Sequence, residues 1–272
     1  MNSVTSLTSK KHIDTASLQQ WSEAISQDLQ QIAVLHDKEV DKILIEALQE
    51  VNFPHNLGLI LSTEMGNEST GLYKPQHFIE TVLQELPEEI DQKTLDKLAV
   101  DYADIYLNHS LHASPFESVW LDEDNLLQQE PMFQIREWYK RYGLETENWR
   151  IRSDDHLVLQ LQFIATLLEP DSRLSEKFPL QKRLQDATTF MDEHLLLWLS
   201  DFTNLVSQRC STDFYASVAV LTNAYIQELR DALAEITGIK RMSAEEIEEK
   251  RRANIPVIEE PISFVPGVAE SW

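Results

Sequence analysis

Three groups of residues have the types and spacing that chemistry could use. Gly66 and Gly71 are separated as in a phosphate-cradling loop, but Leu72 and Tyr73 stand where such a loop needs Lys and Ser/Thr. No strand precedes the segment, so it is expected to be an ordinary loop. His109 and His112 have metal-ligand spacing, yet no cysteine or second histidine pair accompanies them. None of the 8 histidines has Glu three places before it, which argues against a di-iron helical bundle. Cys210 is the one cysteine, next to Arg209; a packed thiol is expected there in preference to a catalytic thiolate. With no Gly-x-Ser-x-Gly elbow either, the sequence offers no catalytic constellation. No metal, cofactor or enzymatic activity is expected.

The elements that position these residues are expected to be helices. Residues 181–254 contain no proline and only Gly238, which favours long helices because proline removes a backbone donor and glycine costs helical stability. Leu18, Trp21, Ile25, Leu29 and Ile32 recur at three and four, placing them on one stripe. A second helix is expected from Asp37, with Val40, Ile43, Leu44, Leu48 and Val51 inward and Pro54 beyond its end. Phe78, Ile79, Val82, Leu83 and Leu86 follow Pro75 in a third, and Leu95, Leu98, Tyr102, Ile105 and Tyr106 define a fourth. Residues 108–129 are expected to be mostly irregular, a length that commonly marks a functional loop. Helices resume near Pro131 with Phe133, Ile135, Trp138 and Tyr142, stopping at Gly143. Ser153 is the expected N-cap of a helix over 157–168, with Asp154 and Asp155 in its first turn. Two long helices are expected over 184–207 and 212–236, and Ser243 with Glu246 forms a capping-box pattern for a last charged helix. The fold class is all-α. The expected organisation is a flexible arm over 1–16, a helical domain over 17–237, and a charged helix with an extended tail over 238–272. Ile255, Val257, Ile258, Ile262, Phe264, Val265, Val268 and Trp272 are expected to let that tail pack on the helical domain.

Charge and hydropathy narrow the partners. With 23 basic and 46 acidic residues the formal charge is −23, which disfavours nucleic acid and anionic membranes and suits a basic client. The densest apolar run, 195–199, is five residues long, far short of the roughly 18 that a spanning helix needs, so no stable membrane insertion is expected. A single cysteine excludes an intramolecular disulfide, and the polar N-terminal segment lacks the apolar core of a signal peptide. A cytoplasmic location is expected.

Four segments in order carry a resemblance. Asp101-Tyr102-Ala103-Asp104-Ile105-Tyr106-Leu107 is followed by Ser114-Pro115-Phe116-Glu117-Ser118-Val119-Trp120-Leu121 and then Gln129-Glu130-Pro131. Asp155-His156 opens the apolar stretch through Leu161-Gln162-Phe163. Glu193-His194-Leu195 precedes Trp198-Leu199 and Phe202, with Asp213-Phe214-Tyr215 beyond. Together they resemble the TorD/DmsD family of molybdoenzyme maturation chaperones, over roughly 28–233. The resemblance implies an all-helical, non-enzymatic protein that binds the twin-arginine signal peptide and apo form of a molybdenum-dependent oxidoreductase. It would hold that precursor for cofactor insertion before export, as a monomer or a homodimer.

Carried over by position, the resemblance implies a peptide-binding set of Tyr102, Ile105, Tyr106, Ser114, Pro115, Glu117, Ser118, Asp155 and His156. Acidic side chains at Glu117, Asp122, Glu123 and Asp124 would lie beside it, while Trp198 and Phe202 are expected in the core. The chain departs from the family's Glu-Pro-x-Asp-His pattern at Arg152 and Ser153, and has Gln160 and Gln162 where the following helix commonly carries glutamates. The competing reading is a helical adaptor that assembles a cytosolic complex without reading signal peptides.

Overall fold

The computed structural model describes residues 14–59, 71–87, 89–108, 110–170, 173–243, 245–247 and 249. The 60–70 glycine segment apart from Gly71, His109 and the apolar tail lie outside the described residues. Two compact units are present, Met1–Arg241 and Met242–Trp272. In the second, Glu246 N–H donates to Ser243 Oγ (3.2 Å) and Ser243 N–H to Glu246 Oε2 (2.7 Å), which is the expected capping box.

The first unit is built from helices, with no strand among the described residues. In chain order they are α1 (Thr15–Asp37), α2 (Lys42–Glu50), α3 (Tyr73–Glu85), α4 (Gln92–Tyr102), α5 (Glu117–Leu121), α6 (Glu130–Arg141), α7 (Leu157–Leu168), α8 (Leu180–Glu193), α9 (Leu199–Arg209) and α10 (Asp213–Thr237). Ala103–Leu107 continues α4 as a π-turn, and Leu195–Leu197 is a short 3-10 turn between α8 and α9. None of the described helices is long and apolar enough to cross a membrane.

α7 is the central helix. Its apolar residues are not confined to one face, and nine of its twelve residues are buried. α1 packs along it and α8 packs against it, while α10 packs on α8 and receives α3 and α9. Ser26 Oγ of α1 donates to the carbonyl of Ala165 at 2.9 Å, and Ser22 Oγ to that of Leu168, so small hydroxyls bring the two helices close. The C-terminal end of α7 is closed by buried Arg183, whose guanidinium donates to the carbonyls of Leu167 (3.0 Å), Glu169 (2.5 Å) and Pro170 (3.3 Å). A cation there satisfies orphan carbonyls and complements the negative end of the helix dipole. α10 ends at Gly238, whose φ of +74° suits glycine, and Gly143 (φ +70°) ends the turn after α6 as expected.

Several elements differ from expectation. α1 begins at Thr15 because Asp14 caps it, accepting from Ser17 N–H at 3.0 Å, so residues 15 and 16, expected in the arm, are helical. α2 is capped by Asp41, not opened by Asp37, and this turns Ile45 and Leu48 inward while leaving Ile43 76% exposed and Val51 exposed. The long helix expected over 184–207 is interrupted at His194, which has φ −131° and ψ −84°. Neither proline nor glycine causes that break; the His194 ring is drawn to a carboxylate from α5. Phe133, expected on the inner stripe of α6, faces outward, and Met132 takes the inner position. The 108–129 segment is mostly irregular, as expected, with α5 as its one helical turn.

A buried junction between the Ser-Pro loop and the start of α7

The Ser-Pro segment and the Asp-His pair meet. An isolated antiparallel bridge joins Phe116 to His156, with Leu157 N–H donating to the Pro115 carbonyl (2.8 Å) and Glu117 N–H to that of Asp155 (3.2 Å). The Asp155 carboxylate reaches across this bridge to accept from Ser118 N–H at 2.8 Å. Asp155 thereby caps α5, not the helix that follows it in the chain. α7 is capped instead by His156, whose Nδ1 accepts from Val158 N–H at 3.1 Å. Ser153 therefore does not cap α7, and Asp154 lies outside its first turn. Asp154 Oδ2 accepts from Arg136 Nε (2.8 Å), Oδ1 accepts from Thr146 Oγ1 (2.5 Å), and its carbonyl receives Tyr139 OH (3.0 Å).

Glu117 sits at the centre of a second layer. His194 Nδ1 lies 2.8 Å from Glu117 Oε1, and Gln160 Nε2 donates to Oε2 and to the Asp155 carbonyl, both at 3.0 Å. Glu117, Gln160 and His194 are all buried. Burial pushes the Glu117 carboxyl above the usual carboxylate range; the His194 contact and the Gln160 hydrogen bond oppose that rise, while the charge of Asp155 adds to it. Glu117 thus joins α5, α7 and the α8–α9 break through one side chain. Sequence reading nominated Glu117 but missed His194 and Gln160. Their signal was two polar residues at otherwise apolar positions of buried helices.

Ser114 offers its carbonyl to Trp120 Nε1 (2.8 Å), and Ser118 Oγ accepts from Gln129 N–H (3.3 Å), which ties the far end of the loop back to α5. Tyr102, Ile105 and Tyr106 form a separate group on α4 and its π-turn. Tyr102 OH donates to the Asp37 carbonyl (2.9 Å), and the Tyr102 and Tyr106 rings lie 4.9 Å apart with Tyr215 beside both. Tyr106 OH lies 2.5 Å from His36 Nδ1, and His36 Nε2 lies 2.8 Å from Thr222 Oγ1. Thr222 already donates its proton to the Val218 carbonyl, so it accepts from His36 Nε2–H, and Nδ1 is the acceptor for Tyr106. Burial holds His36 neutral, with its pKa lowered to about 3.

All nine nominated residues are buried. They form the frame beneath a surface, in two groups, and do not themselves present an open groove. Trp198 and Phe202 are core, as expected. Cys210 is half-buried with its thiol pushed up to about 12, chiefly by desolvation and then by the charge of Asp101, so it is held as a thiol. Among the described residues no group of three or more His, Cys, Asp or Glu side chains could hold a metal ion.

The family model described as nitrate reductase delta subunit matches residues 74–204, a span that contains α3 to α8, the Ser-Pro loop and the Asp-His pair. The chaperone protein TorD of Vibrio cholerae is 31% identical over 141 residues, covering 52% of this chain and 64% of its own length. Over this span the chain is similar to the TorD chaperones. The TorD proteins of Vibrio vulnificus (28% over 130 residues, 47% of this chain and 60% of theirs) and Aliivibrio fischeri (26% over 132 residues, 48% and 61%) are also similar. The chain therefore aligns with somewhat under two thirds of the length of these TorD relatives.

Two departures from the TorD-family pattern have structural accounts. Arg152, in place of an acid, pairs with Asp37 at the end of α1. Gln160, in place of a glutamate, puts an amide donor against Glu117, where a second carboxylate would have met the first without a proton between them. Gln162 is exposed and makes no such contact with its side chain.

Proposed function

We propose that this chain is a non-enzymatic chaperone for a molybdenum-dependent oxidoreductase. It binds the twin-arginine signal peptide and the apo form of that enzyme in the cytoplasm, and holds them until the cofactor is inserted and export can follow. The observation that carries this reading is the similarity to relatives named chaperone protein TorD, together with a family-model match over 74–204 that includes the buried junction. The net charge of −23 agrees with a client segment bearing paired arginines.

In this reading the nine residues act through what they position. Tyr102, Ile105 and Tyr106 fix the wall formed by α4, while Ser114, Pro115, Glu117 and Ser118 set the path of the loop. Asp155 and His156 lock that loop to α7. The nine residues are buried, so recognition falls to the exposed surface they support. Affinity capture with the tagged full chain from a cytoplasmic extract tests the function. The expected capture is an oxidoreductase precursor with its twin-arginine segment, lost when that segment is deleted from the precursor. Capture of mature cytosolic complexes alone would overturn the reading.

A further inference from the structure

Immediately beyond the buried junction, the loop over 122–128 presents two leucines to solvent. Leu126 is 52% and Leu127 47% exposed. The loop holds this form through specific bonds. Asp122 Oδ2 accepts from the N–H groups of Asp124 (3.1 Å) and Leu126 (3.0 Å), and the Gln129 side chain donates to the Leu127 carbonyl (2.9 Å). Both ends are tied to Ser118: the Asp122 N–H donates to its carbonyl at 2.9 Å and the Gln129 N–H to its hydroxyl at 3.3 Å. The leucine pair is thus continuous with the segment that Asp155 caps. Two exposed apolar side chains held outward leave apolar area in water that a partner can cover.

The charge around the pair has one sign. Glu123 and Asp124 are exposed just before the leucines, across Asn125, and Glu130 follows three residues after Leu127; among the described residues no lysine or arginine pairs with any of the three. The patch stops at α6, where Arg136 lies over the exposed Phe133 ring (5.6 Å to its centroid) and Lys140 pairs with Glu137 at 2.7 Å. Apolar side chains beside the exposed carboxylates of Glu123 and Asp124 fit a peptide whose cationic residues adjoin an apolar run.

We infer that Leu126 and Leu127, with Glu123 and Asp124 beside them, are the direct docking surface for the apolar run and adjoining arginines of the client peptide. This rests on the signal-peptide reading above. It moves the contact from the buried nominated residues to the exposed loop they hold.

Calorimetry with the full chain tests it, using a synthetic peptide of two adjacent arginines followed by about ten apolar residues. Leu126→Ser/Leu127→Ser is expected to weaken binding by roughly tenfold or more. Glu123→Gln/Asp124→Asn is expected to weaken it less and to flatten its dependence on salt. Asp122 is left intact because it holds the turn, and thermal melts of both variants should match the parent. Should the parent bind and both variants bind equally well, the docking surface lies elsewhere while the signal-peptide reading stands. A parent that does not bind the peptide overturns both. Unchanged peptide affinity with a loss of self-association in sedimentation would assign the leucines to a second copy of the chain and overturn the inference.

Discussion

The Asp155 carboxylate accepts a 2.8 Å hydrogen bond from the backbone N–H of Ser118, 37 residues earlier in the chain, so the entry to one helix caps another. Asp155→Ala leaves a buried N–H at the start of α5 without its acceptor and is expected to destabilise the fold by about 1–2 kcal/mol in urea denaturation. Asp155→Asn keeps an amide oxygen for Ser118 and should recover most of that loss. Equal stability of the alanine variant and the parent would show that α5 does not depend on this cap.

Asp28 is expected to give the chain a distinctive pH dependence. Burial raises its pKa from 3.8 to about 6, against the lowering effects of hydrogen bonds from Tyr225 OH (2.6 Å) and Gly58 N–H (2.7 Å). Its folded-state pKa exceeds the unfolded value, so the folded chain binds the proton more tightly. Stability from this group is full below about pH 4 and is lost as pH rises towards 6, a difference of about 3 kcal/mol. Asp28→Asn can accept the same two bonds and carries no charge. The variant should match the parent near pH 4 and exceed it near pH 7, by up to that amount. His36, lowered to about 3 by burial, titrates in the opposite sense across part of the same range. The difference between the two denaturation series, not the parent's curve alone, therefore isolates Asp28.

Tyr106 supports the fold before it supports binding. Tyr106→Ala opens a cavity among Tyr102, Tyr215 and His36 and is expected to cost about 3–5 kcal/mol of stability. Tyr106→Phe keeps the packing and loses only the donor to His36 Nδ1, for about 1–2 kcal/mol. In the phenylalanine variant, peptide affinity measured well below the melting temperature should be unchanged. A large affinity loss there would place the Tyr106 hydroxyl in direct contact with client.

Cys210 is expected to be unreactive while the chain is folded. With its thiol pushed up to about 12, its thiolate fraction at pH 8 is roughly a thousandfold below that of a free cysteine. Labelling with a thiol-specific disulfide reagent should be slow in buffer and rapid in urea, and Cys210→Ser should bind peptide as the parent does. Fast labelling of the folded chain would contradict this.

The helices were legible where apolar spacing was strong, as along α1, α4 and α10, because periodicity is a local property of the chain. The ends were legible where the capping oxygen stayed local, as with Ser243 and Glu246. They were misread where that oxygen is used far away. Ser153, Asp154 and Asp155 look like the start of α7, but Asp154 is engaged by Arg136 and Thr146 and Asp155 by Ser118, leaving His156 to cap. The break at His194 has no local signal, since its cause is Glu117, 77 residues away. The ordered motifs gave the resemblance to TorD chaperones and pointed to the Ser-Pro and Asp-His segments, which meet at one place. They could not show that Tyr102 and Tyr106 are covered, because Tyr215, which lies against them, comes from α10.

The pairing of α1 with α7 and α10 has a consequence for biosynthesis. Asp28 and its partner Tyr225 are 197 residues apart, so at common elongation rates about 10–40 s pass between their emergence from the ribosome. Until α7 emerges, Trp21, Ile25, Leu29 and Ile32 lack the helix that α1 packs along, and the nascent chain carries an uncovered apolar helix. A protein of this architecture is itself a transient client for whatever shields nascent chains in its cell.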